Sequence, residues 1–88
     1  MISANITIKN EQGLHMRPAG LFAKEMTKFH SRVTLVYDDK KINAKSVMNL
    51  IAGGIKCGSD ITIECDGSDE KEALKKAVEM IETGFSEI

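Results

Sequence analysis

An α+β fold of order β-α-β-β-α-β-α is predicted by three observations. Residues 2–8 and 60–65 alternate apolar with polar side chains, as strands with one buried face do. Residues 18–29 and 69–83 repeat apolar residues at helical spacing. Gly, Asp and Asn cluster between these stretches, where turns are needed. Amphipathic helices and half-buried strands in this order close as an open-faced sandwich, a four-stranded antiparallel sheet with three helices on one face.

Ile2, Ala4, Ile6 and Ile8 alternate with Ser3, Asn5, Thr7 and Lys9, which gives the first strand. Asn10-Glu11-Gln12-Gly13 breaks the pattern. From Pro18 onward Ala19, Phe22, Ala23, Met26 and Phe29 form one apolar stripe, so the first helix is expected to run to about Phe29. His30 then reads as an ordinary cation near a helix C-terminus. Arg32 to Tyr37 is β-branched and aromatic, with Val33, Leu35 and Tyr37 on one face. Asp38-Asp39-Lys40 supplies a turn, and a short strand returns through Ile42. Ser46 is placed to cap a short helix carrying Val47, Met48, Leu50 and Ile51, which Gly53-Gly54 ends. Leu50 is expected in the core and Met48 at least partly exposed. Ile61, Ile63 and Cys65 mark the last strand. Asp69 with Glu72 three residues on resembles a capping box, and Leu74, Ala77, Val78 and Ile81 line a final helix closed by Gly84.

With 88 residues, 1–88 is expected to form one domain. No apolar run approaches the roughly 20 residues that span a bilayer, and a leader pattern is absent, so a cytoplasmic protein with no membrane partner is expected. A net charge of -1 argues against direct nucleic-acid binding, which relies on clustered Lys and Arg. Three Phe and one Tyr offer little for base stacking. Cys57 and Cys65 form no CxxC or Cys/His cluster, so two reduced thiols, no metal site and no cofactor are expected, with Cys65 in the core.

The chemistry concentrates in Gly13-Leu14-His15-Met16-Arg17-Pro18-Ala19. Pro18 suits a first helical turn, and Gly13 permits a tight turn before it. This leaves His15 at or beside the helix cap, next to amides that lack an intrahelical acceptor. Such a terminus attracts anions. An ordinary imidazole is mostly neutral at pH 7 and has a free lone pair, and Arg17 offers a planar fork for phosphate oxygens. Together these describe a place where a phosphoryl group is accepted on nitrogen and held.

Gly13-Leu14-His15-Met16-Arg17-Pro18-Ala19, together with Lys45-Ser46-Val47-Met48, resembles the two landmarks of the HPr family, the histidine phosphocarriers of the bacterial sugar phosphotransferase system. The likeness covers essentially the whole chain. Met16 departs from the smaller residue usual in the family. The resemblance implies phosphorylation of His15 at Nδ1 by a phosphoenolpyruvate-dependent donor enzyme, with Arg17 stabilising the phosphate and sugar-specific transport components as acceptors. The chain is then a carrier and not a turnover enzyme. The resemblance further implies regulation at Ser46 by an ATP-dependent serine kinase/phosphorylase, and recognition by a catabolite-control transcriptional regulator.

Ser46 is also explained as a plain N-cap, but Lys45 supplies a nearby positive charge, and Val47, Met48 and Ile51 form an adaptable apolar patch. Met16, Gly20, Lys24, Val47, Met48 and Ile51 are the expected partner contacts, and a monomer is expected. Gly20 costs about 1 kcal/mol in a helix relative to Ala, and close approach of a partner backbone is one reading of it. Within the family, a regulatory paralogue working only through Ser46 is disfavoured by the presence of His15, and a nitrogen-related phosphocarrier by Lys45-Ser46. A ferredoxin-like metal or small-ligand module shares much of the element order. A soft-metal carrier would want CxxC in the first loop, where His15-Met16 stands.

Overall fold

A computed structural model describes residues 1–86. It contains β1 (Ile2–Thr7), α1 (Met16–Met26), β2 (Arg32–Tyr37), β3 (Lys40–Asn43), α2 (Val47–Ala52), β4 (Asp60–Asp66) and α3 (Glu70–Glu82), followed by a tight turn at Gly84–Ser86. The expected order is therefore observed. The sheet runs β1-β4-β2-β3, and every neighbouring pair is antiparallel. Ile63 of β4 sits opposite both Ala4 and Leu35, so the strand with the cleanest alternation is one of the two paired on both sides. The β2–β3 hairpin turns through Asp38 and Asp39 at φ 53 and 63, the left-handed pair that matches strand twist in a two-residue hairpin.

The helices cover one face of the sheet. α3 packs on β1 and β4, α2 against β3, and α1 against both helices. Phe22, Met26, Leu35, Leu50, Ile63 and Ile81 are fully buried between the layers. Leu50 is in the core and Met48 is 75% exposed, as the pattern indicates. Among the described residues no helix is long and apolar enough to cross a membrane.

Four expectations are corrected. The first helix stops at Met26, short of Phe29, because the chain after it is held from elsewhere. Asp69 accepts from the amides of His30 and Ser31, each at 2.8 Å, and from the Ser31 hydroxyl. This tie pulls residues 30–31 against the start of α3, and His30 lies past the helix end it was expected to stabilise. The basic residue in the last turn is Lys24, and beyond the helix Lys45 Nζ donates to the Phe29 carbonyl at 2.7 Å.

The same tie removes the expected capping box. With its carboxylate turned to Ser31, Asp69 makes no side-chain cap bond, and Glu70 instead accepts from the Gly67 amide at 3.1 Å. Gly67 also lies so close to Ser31 that a Cβ there would stand 2.6 Å from its Cα. Finally, the buried stripe of α3 is Ala73, Ala77 and Ile81, with Leu74 and Val78 half-buried beside it. Small Ala73 is what lets the helix sit close to the sheet.

Phe85 is held at φ 60, a conformation costly for a bulky residue, and its ring packs edge-on against Phe22 at 5.8 Å. Phe85→Ala is expected to destabilise the fold by about 3–5 kcal/mol in urea unfolding. The Ser31 hydroxyl and the His30 amide hold the Asp69 carboxyl below the usual carboxylate range, at about 2. A lowered folded-state value means that this stabilisation is complete above about pH 4 and is lost as pH falls toward about 2. Asp69→Asn is expected to flatten this part of the stability profile when urea midpoints are measured across that window.

Candidate functional site

His15 is the N-cap residue of α1, with extended backbone at φ -85 and ψ -168. Its carbonyl accepts the first helical bond, from Ala19 N at 3.0 Å. Since Pro18 has no N–H, the amides of Met16 and Arg17 are left without intrahelical acceptors. The imidazole makes no capping bond to them. It is half-buried, and both ring nitrogens remain uncommitted to the helix.

Three contacts fix the loop that carries it. Gly13 turns at φ +68 and lies against the chain after α2, where a Cβ would stand 2.5 Å from the Ile55 carbonyl oxygen and 2.8 Å from Lys56 Cα. Leu14, itself buried, donates its amide to that Ile55 oxygen at 3.0 Å. Asn10 closes the turn from the other end, with Nδ2 donating to the Gly13 carbonyl at 2.6 Å and its own carbonyl accepting from Gly13 N at 3.1 Å. Glycine at position 13 is thus required twice over, by its conformation and by the backbone beside it.

His15 and Arg17 line one open cleft of about 600 Å³. Arg17 is exposed and, among the described residues, has no carboxylate within ion-pair distance. The cleft's other walls are Lys9 to Gln12 and Glu82 to Gly84. The sequence reading missed this contribution from the end of α3, which no local motif marks. Among the described residues no group of three or more His, Cys, Asp or Glu is placed to hold a metal.

Ser46 caps α2 as expected, its hydroxyl accepting from Asn49 N at 3.3 Å. Its neighbour does not behave as expected: Lys45 directs its ammonium to Phe29, so the charge is committed away from the serine. Ser46 does not line the His15 cleft. Of the expected partner contacts, Met16 is 74% exposed, and Val47 and Ile51 are half-buried against the core. Gly20 has open space where a Cβ would be, so no internal packing requires it. Lys24 lies with Leu21 and Met80 in the groove between α1 and α3. Leu21, an exposed apolar residue on α1, was not picked out from the sequence.

Both cysteines are free, Cys57 exposed and Cys65 buried. Burial, with Glu70 and Asp69 nearby, pushes the Cys65 thiol up to about 11.

A family model described as the PTS HPr component phosphorylation site matches residues 2–83. The phosphocarrier protein HPr of Mycoplasma capricolum is 42% identical over 86 residues, covering 97% of each chain. The crystal structure of HPr from Thermoanaerobacter tengcongensis superposes with a TM-score of 0.95 at 42% identity, covering 100% of this chain and 99% of that one. Crh, described as a Bacillus subtilis catabolite repression protein and crystallised as a domain-swapped dimer, gives 0.76 at 37% identity, with 96% and 97% covered. These likenesses extend over both landmark stretches and nearly the full chain, and the chain belongs to the HPr family of phosphocarriers of the phosphotransferase system.

Proposed function

We propose that the chain accepts a phosphoryl group on His15 from a phosphoenolpyruvate-dependent donor enzyme and delivers it to sugar-specific transport components. The observation that carries this reading is the cap of α1. There an imidazole that makes no capping bond shares a cleft with an exposed guanidinium, beside two amides with no helical acceptor. The imidazole lone pair forms the N–P bond while the bond from phosphorus to the donor's leaving group breaks and returns its electron pair to the donor. Transfer onward reverses the roles. The family resemblance favours Nδ1 as the nitrogen.

Because the group in flight is metaphosphate-like, the protein's share of the work is positioning and charge compensation. Arg17 and the Met16 and Arg17 amides can supply both. The exposed side chains of Met16 and Met48, with Gly20 between helical turns, form the surface on which we expect partners to dock. The cytoplasm is the compartment this reading requires, and residues 1–88 act as one domain. A carrier that presents a single face to successive partners works as a monomer, whereas Crh shows that the same fold is also found as a dimer.

Ser46 is read as the regulatory site. A phosphate there adds about -1.5 to -2 charges at a helix N-terminus, which tolerates them. Its effect then falls on docking at Met48 and not on folding. A serine kinase/phosphorylase would set this state, and a catabolite-control transcriptional regulator would read it.

After incubation with phosphoenolpyruvate and donor enzyme, intact-mass analysis is expected to show one acid-labile phosphate on the parent chain and none on His15→Ala. Arg17→Ala is expected to keep its fold and to slow transfer by about a hundredfold, the loss typical of one removed transition-state donor; stopped transfer time courses measure it. For Ser46→Asp the expected result is slower phosphorylation of His15 with an unchanged urea midpoint.

A further inference from the structure

The helix-free face of the sheet is divided by charge. On the β1–β4 side the polar groups satisfy one another: Thr7 donates to Asp60 at 2.6 Å and Thr62 to Asn5 at 2.7 Å. The β2–β3 side is different. Register sets Thr34 opposite Asn43 and Val36 opposite Lys41, and side chains two apart share a face, so Arg32 and Thr34 stand in one row beside Lys41, Asn43 and Lys45 in the next. These rows and His30 border an open cleft of about 660 Å³.

Its three lysine and arginine cations outnumber its one carboxylate. Among the described residues, none of Arg32, Lys41 and Lys45 has a carboxylate within ion-pair distance. Asp66, which stands opposite Arg32 on β4 and also lines the cleft, lies 3.7 Å from the N-terminal ammonium of Met1. Lys45 uses one of its three N–H donors on the Phe29 carbonyl, which fixes the ammonium and leaves two donors. The Asn43 side-chain oxygen accepts from the Lys45 amide at 3.0 Å, so its NH₂ is the end available to a ligand. The open cleft therefore offers donors and positive charge to an anion. An Arg fork flanked by lysines suits tetrahedral oxyanions.

We propose that this cleft binds a small phosphate-bearing anion of the phosphomonoester class, on the face of the sheet opposite the helices and independently of His15. Arg32, Lys41 and Lys45 all line this one cleft, which favours a compact ligand over an acidic polypeptide. The cleft shares no residue with the one that holds His15 and Arg17, so the two can be occupied separately.

Heteronuclear NMR titration of the full chain with glycerol phosphate, at constant ionic strength, tests this. Saturable shifts are expected at the amides of Arg32, Thr34, Lys41, Asn43 and Lys45, both in the parent and in His15→Ala. Arg32→Gln and Lys41→Gln are each expected to weaken binding about tenfold, the loss of one charge-assisted hydrogen bond. Lys71→Gln, outside the cleft, should leave it unchanged. The proposal is overturned by shifts confined to the His15–Arg17 loop, by shifts that do not saturate, or by shifts indifferent to both glutamine variants. A response to an acidic peptide with none to glycerol phosphate would equally overturn it, making the face a protein-binding surface.

Discussion

The contact of Gly13 with the backbone of Ile55 and Lys56 is the constraint on which the functional end of the molecule depends. Through it the segment after α2 becomes the floor of the loop before α1. The Leu14 amide and the Ile55 carbonyl lock the two together. The start of α1, and with it the cap position of His15, is therefore set by tertiary contact as much as by the helix signal of Pro18. A side chain at residue 13 would have to move backbone, which is far less compliant than a flexible neighbour.

His15 and Ser46 occupy the same structural position on successive helices, yet their side chains are used differently. Ser46 accepts from an amide of its own helix, so its hydroxyl is part of the local fold. His15 leaves that role empty and keeps the ring available to a reacting group. The distinction follows from size and chemistry: a short hydroxyl reaches back to the third helical residue, the geometry favoured at caps, and an imidazole is not among the residues that do so readily. What stabilises a helix in one case is left open for transfer in the other.

Much of the fold was legible because strand period and helix period differ so clearly here. The alternation in Asp60–Asp66 placed an inner strand, and Asp38-Asp39 placed the hairpin. The site's key residues were legible because they are neighbours in sequence. What escaped was settled at a distance. The end of α1 depends on Asp69, which lies on the far side of three strands in chain order, and the apolar Phe29 extended the helical pattern past the true stop. Ala73 was passed over because its small side chain is weak as a hydrophobic signal, although its size is what the helix–sheet contact needs. Lys45 was read by its neighbour in sequence, when its partner was the Phe29 carbonyl. The wall of the His15 cleft formed by Glu82–Gly84 had no local signature, since only folding brings it there.

The cysteines differ in access, and this has a practical side. Cys65 is enclosed by the core with its thiol pushed up to about 11, so it is a poor nucleophile toward alkylating reagents at neutral pH. Cys57 is exposed and sits in the loop just after Ile55 and Lys56, with its sulfur 3.7 Å from the Lys9 carbonyl. A fluorophore attached by maleimide chemistry would thus be directed to one atom without mutagenesis, at the outer side of the floor beneath the His15 loop. The native chain carries its own labelling handle where arrival of a phosphate or a partner would be felt.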